Sequence, residues 1–243
     1  IASVHPARRD ALDELTRVAE AGAVAIKWLP NVQQIDPSAE QNQAFFERLV
    51  DLDLPLLTHA GEEQAVDAAR HQKLGNPLRL RRPLDSGVRV IVAHCAGRGE
   101  GQDLDLEGPD WPLVSNFDLF LRLMGEESYR GQLYGEISAT VLYERLDTVL
   151  PAVLPDESLR QRLVNGSDYP VSAIDFLVRL SPILELGLLD SDDVDALQEL
   201  DRYNPMAFDF VLKRRLRWLD EHGTVHRLPD SCFQPPPGLF RGF

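Results

Sequence analysis

Cysteine is scarce in this chain. Only Cys95 and Cys232 occur in 243 residues, far apart and without CxxC spacing. That excludes a disulfide framework and fits a reducing, cytoplasmic setting. No apolar run approaches the length of a membrane span, so a membrane partner is not expected. Basic residues are also few: 25 Lys and Arg stand against 39 Asp and Glu, a formal net charge of −14. A surface that acidic repels phosphate backbones and anionic lipid, which argues against nucleic acid as a partner. No GxGxxG or P-loop pattern follows any strand-like segment. The opening "IASVHPARRD" has neither an initiator Met nor a targeting pattern. It reads as entering mid-strand, as a processed or partial chain would.

What is present is a globular composition, 44% apolar and 26% charged. Strand-like and helix-like segments alternate along it. Strands are expected in "IASVHP", "AVAIKWLP", "LPLLTH", "VRVIVAH", "GQLYGEISAT" and "RLVNGSD". Helical spacing follows each of them. Leu12, Leu15, Val18 and Ala19 share one face before Gly22. Phe45, Phe46, Leu49 and Val50 share another, and "EEQAVDAARHQKLG" is also helical. "GRGEGQDLDLEGPDWP" reads as a polar loop, and Ser115 with Asp118 as a capping box. The helices "AIDFLVRLSPILELG", "DSDDVDALQELD" and "NPMAFDFVLKRRLRWLD" close the folded part. The division expected is one barrel domain over 1–222 and an irregular tail over 223–243.

Repeated βα units mean a parallel sheet with right-handed crossovers. The polar residues His5, Lys27, His59, His94, Ser138 and Asp168 all fall at or near strand ends. Functional groups spread over several strand ends are what a (β/α)8 barrel presents on its top face. Six units are two short of eight. The expectation is an incomplete barrel, strands three to eight, with two strands upstream of Ile1.

Three apolar strands share one feature. "LPLLTHAG" runs into His59, "VIVAHCAG" into His94 and "RLVNGSDYP" into Asp168. Imidazole and carboxylate are the donors that hold zinc or a similar divalent ion in a catalytic site. Such an ion acidifies water, and a nearby carboxylate can take its proton.

The ordered set "VAIKWLP", "LPLLTHAGEE", "VIVAHCAG", "LYGEISA" and "NGSDYP", with "RYNPMAFDF" after it, resembles the amidohydrolase superfamily. It is nearest the branch of TIM-barrel metal-dependent hydrolases that includes amidohydrolase-related decarboxylases. The resemblance implies one or two divalent ions, zinc first among them. His59 would be a metal ligand. His94 would be a second ligand or a group polarising the substrate. Asp168 would be ligand and general base. Lys27 stands where binuclear members carry a carboxylated bridging lysine. The family's first-strand His-x-His pair is absent from these residues, as a start at strand three would require.

Other candidates rest on position. Arg98 follows His94 and can bind a substrate carboxylate bidentately, and His5 is a second substrate-pocket candidate. Glu136 and Ser138 share a strand face by period two. Glu62 and Glu63 suit the start of a helix dipole. Asp103, Asp105 and Asp110 do not match calcium-loop spacing. His71, His222 and His226 read as solvated. The function expected is hydrolysis of amide, ester or lactone bonds in small molecules. A metal-dependent decarboxylase is the alternative, and a non-catalytic barrel fragment or binding module a third reading. The expected partner is a small-molecule substrate; open apolar sheet edges favour a homo-oligomer as well.

Overall fold

The computed structural model describes residues 1–64, 70–106, 111–174, 177–234 and 236–242. The chain divides into two compact units, Ile1–Glu136 with Pro235–Phe243 and Ile137–Gln234.

In the first unit the described strands are β1 (Ile26–Trp28), β2 (Leu56–His59), β3 (Val90–Ala93), β4 (Glu100–Gln102), β5 (Leu113–Ser115) and β6 (Leu133–Glu136). β1, β2, β3 and β6 pair in that order and all in parallel, while β4 and β5 form a separate antiparallel pair. The helices are α1 (Ala11–Glu20), α2 (Pro30–Gln33), α3 (Gln43–Asp51), α4 (Arg81–Asp85) and α5 (Asn116–Gly125).

The register sorts the parallel sheet into two faces. Lys27 lies beside Leu57, His59 beside Ala93, and Ile91 beside Tyr134. Side chains alternate along a strand, so Ile26, Trp28, Leu56, Thr58, Val90, Val92 and Leu133 share one face. All seven are buried. α1 packs on α3, and Phe45 and Phe46 of α3 meet Trp28 at ring separations of 5.2 and 5.9 Å. The Trp28 indole N–H donates to Val4 O at 2.9 Å, so this buried donor is satisfied. The other face carries Lys27, Leu57, His59, Ile91, Ala93, Tyr134 and Glu136.

α1 buries Ala11, Leu15 and Ala19, an i, i+4, i+8 stripe. Leu12 and Val50, expected inward, are 42% and 45% exposed. Each sits one residue off the buried stripe, about 100° round its helix. α1 ends at Glu20 and the chain turns away through Gly22, with Ala23 N donating to Val18 O at 2.9 Å. α5 starts as expected, with Ser115 Oγ accepting from Asp118 N at 3.4 Å.

Two expectations for this unit are corrected. "IASVHP" is reduced to a single parallel bridge, Ala2 to Ile26, because the next rung is taken by side chains: Val4 O accepts from the Trp28 indole and Leu29 N donates to Gln33 Oε1 at 2.7 Å. The polar loop after Arg98 contains β4, anchored by Asn76 Nδ2 donating to Gln102 O at 2.7 Å. Of the helix expected over 62–75, residues 65–69 lie outside the described residues, and Gln72–Gly75 is a 3-10 turn.

The second unit holds α6 (Leu150–Val153), α7 (Glu157–Arg160), β7 (Leu163–Val164), α8 (Leu180–Glu185), α9 (Val194–Tyr203), α10 (Pro205–Arg215), β8 (Arg217–Leu219) and β9 (Val225–Arg227). The helix expected over 173–187 is described only as α8, since 175 and 176 lie outside the described residues. Its final expected helix ends early. Leu216 turns to an extended backbone, and Arg217–Leu219 pairs antiparallel with Val225–Arg227, inside the stretch read as irregular. Asp220 closes that hairpin by accepting from His222 N and Thr224 N at 2.9 and 2.7 Å, a local turn signal. Lys213 of α10 is fully buried, paired with Asp209 at 2.8 Å and donating to Gly166 O at 2.7 Å. No helix among the described residues is long and apolar enough to cross a membrane.

Candidate metal centre and active site

His59 is the last residue of β2 and His94 follows the last residue of β3, its neighbour in the sheet. The two imidazoles meet edge-on, with ring centroids 5.7 Å apart, and both are buried. Each has a carboxylate beside Nδ1. Glu63 Oε2 lies 3.6 Å from His59 Nδ1, and Glu136 Oε2 lies 3.8 Å from His94 Nδ1. Both carboxylates are themselves buried. A carboxylate at Nδ1 favours the tautomer that keeps its proton there and leaves the Nε2 lone pair to ligate.

Glu63 reaches His59 because the chain reverses directly after the strand. Gly61 takes a left-handed φ of +89° and sends Glu63 back across the imidazole, four residues on. The helix that Glu62 and Glu63 were expected to open runs into residues outside the described ones, but the contacts of the pair itself are described. Glu63 faces His59, and Glu62 N donates to Arg98 O at 3.0 Å.

The turn after β3 is unusual. His94, Cys95 and Ala96 all have positive φ, 55°, 51° and 52°. Each left-handed L-residue costs roughly 1–2 kcal/mol, so the turn persists only because its surroundings hold it. Glu136 does much of the holding. Its Oε2 accepts from His94 N at 3.3 Å, and its main-chain carbonyl accepts from Cys95 Sγ at 3.6 Å. Gly97 N donates to His94 O at 2.9 Å, and Asn116 Nδ2 donates to Arg98 O at 3.0 Å.

Side-chain amides, Asn31 buried and Gln72 half-buried, join the strand exits. Asn31, in α2 just beyond β1, donates to Gly61 O at 3.0 Å and to Gln72 Oε1 at 2.8 Å. Gln72 in turn pairs with both main-chain groups of Glu63: Oε1 accepts from Glu63 N at 2.9 Å and Nε2 donates to Glu63 O at 2.6 Å.

The remaining candidates are placed as follows. Lys27 stands in the middle of β1 rather than at its end, half-buried and on the same face as His59 and Glu136. Arg98 is half-buried and donates to Gln64 Oε1. His5 is engaged through both ring nitrogens: Nδ1 accepts from Ala7 N at 3.1 Å, and Nε2 meets Gln33 O at 3.0 Å. Those contacts make it a clamp between two backbone segments. In the second unit Asp168 lies four residues beyond β7, exposed, with φ of +51° and its main-chain carbonyl accepting from Val171 N at 2.8 Å.

Asp103 and Asp105 form ion pairs with Arg122 of α5 at 2.6 and 2.8 Å, and Arg81 of α4 joins Glu126 at 2.7 Å. The Arg122 guanidinium holds the Asp103 carboxyl below its ordinary range and is itself raised by both aspartates. Asp110 lies outside the described residues. His226 pairs with Asp220 at 2.9 Å, while His222 is exposed.

Glu63, Gln72, Asn31 and Asn116 were not legible as site residues in the sequence. The one signal was spacing: Glu63 follows His59 by four across a glycine. Two imidazoles, each with a carboxylate at Nδ1, are the donor chemistry of a divalent-ion site. Among the described residues no three His, Cys, Asp or Glu side chains form a group able to hold an ion. The described residues of the first unit supply the histidine donors and their supporting carboxylates.

The amidohydrolase family model matches residues 1–175. No curated protein matches. A structure from Pseudomonas putida, provisionally named a 2-pyrone-4,6-dicarboxylic acid hydrolase, is 20% identical with a TM-score of 0.45, covering 72% of this chain and 58% of that one. An uncharacterised TIM-barrel protein from Bordetella bronchiseptica is 15% identical with a TM-score of 0.49, covering 86% and 66%. A 2,6-dihydroxybenzoate decarboxylase from Rhizobium is 17% identical with a TM-score of 0.41, covering 70% and 59%. The chain thus spans 58% to 66% of the length of these structures. Its fold class is α/β, a parallel sheet with helices in the manner of an incomplete (β/α)8 barrel. With most of its length matched by that family model, the chain belongs to the amidohydrolase family.

Proposed function

We propose that the chain is a metal-dependent hydrolase of amide, ester or lactone bonds in small molecules, with His59 and His94 among the ligands of a zinc ion. The observation that carries this reading is the buried imidazole pair at adjacent strand ends, each ring backed by a carboxylate. His59 and His94 would hold a divalent ion, which when bound would supply Lewis acidity towards a carbonyl and towards water near neutral pH. Glu63 and Glu136 hold the two imidazoles in one tautomer and orientation. Lys27 and Arg98 offer cations to an anionic group of the substrate. Asp168 is the proposed base, taking the water proton at its carboxylate, on the order of the strand-end motifs.

Decarboxylation is the second reading. It is favoured by Lys27, a cation on the same sheet face as His59, where a substrate carboxylate can be met. The test is zinc-loaded protein against a panel of lactones, esters, amides and hydroxylated aromatic acids. Acid release without CO2 supports hydrolysis, and CO2 release from an acid supports the second reading. No turnover in the panel together with no zinc uptake removes both.

A further inference from the structure

We propose that Gln72 is a positioning residue that sets the tautomer of His59 through Glu63, an inference that rests on the metal-site reading above. Glu63 lies in a stretch that belongs to no helix or strand, so its N–H and C=O have no ladder to satisfy them. Buried main-chain polar groups require partners. Gln72 supplies both, with Oε1 accepting at 2.9 Å and Nε2 donating at 2.6 Å, the two-point pairing a neighbouring strand would give. Asn31, 1% exposed, braces the arrangement by donating to Gln72 Oε1 and to Gly61 O. Gly61 N donates to Gly75 O at 2.8 Å, so the Gln72–Gly75 turn is tied to the same segment at a second point.

The consequence falls on the Glu63 side chain. With its main chain pinned at both polar groups, its carboxylate is delivered to within 3.6 Å of His59 Nδ1. In a neutral imidazole that carboxylate selects the form with its proton on Nδ1. Gln72 thus acts on His59 at one remove, through the main chain of Glu63.

The experiment uses 15N-labelled protein at a pH where histidine is neutral. Long-range proton–nitrogen correlation reads the His59 and His94 tautomers, His59 being assigned by loss of its signal in His59→Gln. Wild type should show His59 as the Nδ1–H form. Gln72→Ala should convert it to a mixture and leave His94 unchanged. Glu63→Gln should do the same, and the double variant should match Glu63→Gln alone. Zinc titration should follow, with a loss of about 10–100-fold in Gln72→Ala, the size typical of groups that orient a ligand.

If Gln72→Ala does not fold, Gln72→Glu keeps the acceptor for Glu63 N and sets a repelling oxygen against Glu63 O. It should give the same tautomer change. A wild-type His59 tautomer in either variant overturns the proposal, as do equal changes at His59 and His94, which mark general loosening. Wild type that takes up no zinc but shows the tautomer coupling overturns the metal-site reading and leaves the role of Gln72 standing.

Discussion

Replacing Gly61 by alanine should damage both stability and site, by an amount that separates into two physical parts. Gly61 has φ of +89°, and a Cβ there would lie 2.8 Å from Arg98 O and 3.1 Å from Ala96 O. Both are main-chain atoms of the strained turn after β3 and cannot swing aside. The left-handed conformation costs about 1–2 kcal/mol, and forced overpacking about 1–3 kcal/mol. Stiffening of the unfolded chain returns about 0.4–1 kcal/mol. The net loss is about 3 kcal/mol, a fall in Tm of roughly 6–12 °C for a domain of this size. Two companion variants isolate the parts. Gly22 has φ of +91° with nothing within 4 Å of its Cβ position, so Gly22→Ala carries the conformational part alone, about 1 kcal/mol. At Gly75 no positive φ is involved, but a Cβ would meet Gly61 O at 2.4 Å and Asn31 Nδ2 at 2.6 Å, so Gly75→Ala carries the steric part. Urea unfolding followed by the fluorescence of buried Trp28 measures all three. Gly61→Ala no worse than Gly22→Ala would refute the claim that the turns after β2 and β3 are in contact at this point.

His59→Ala should lose divalent-ion binding outright, whereas Asp168→Asn should lower turnover by roughly 10²–10⁴, the worth of general acid–base catalysis; excess zinc should partly rescue the first and hardly the second, and near-wild-type activity in Asp168→Asn removes it from the mechanism. Arg122 holds the folded-state pKa of Asp103 below its unfolded value, so this pair stabilises fully above the ordinary aspartate range and less as pH falls through the folded value. Asp103→Asn should therefore be less stable than wild type at pH ~6, with the gap closing below about pH 4; a gap that stays constant under acid unfolding denies the linkage. Lys213→Met removes the buried ammonium 2.8 Å from the Asp209 carboxylate and should cost about 3–5 kcal/mol, most of it regained in Lys213→Met/Asp209→Leu. If the double variant is as unstable as the single in denaturant titrations, the loss comes from the Gly166 carbonyl and not from the broken ion pair.

Strand period and strand-end chemistry were legible because each depends on neighbours in sequence. The runs ending at His59 and His94 declare two strands that each lead into an imidazole, and the structure brings the two rings edge-on at 5.7 Å. The edges of elements were less legible. "RLRWLD" has helical spacing, yet Asp220 and Gly223 fold it into a hairpin, so a turn overrides propensity. Leu12 reads as inward because helical apolar spacing does not reveal how narrow the buried stripe is, here Ala11, Leu15 and Ala19. The amide network escaped altogether. Asn31, Gln72 and Asn116 look like solvated residues in a sequence, and only the meeting of three separate strand exits turns them inward. Glu63 escaped for a related reason: its role depends on a reversal at Gly61 that an acidic pair at a helix start equally well explains.

The strict alternation in β1, β2, β3 and β6 has a consequence for how this chain can change. Each strand is two messages interleaved, one addressed to the helices and the other to whatever meets the polar face. Substitution at Lys27, Leu57 or Tyr134 rewrites the second and leaves Trp28, Leu56 and Val92 untouched. Specificity can therefore drift while the foundation stays fixed. Loss of a single residue inside β2 does the opposite: it exchanges the two messages at once, turning His59 towards Phe45 and Phe46 and a leucine towards the polar face. Selection should accordingly permit many side-chain changes in these strands and almost no changes in their length.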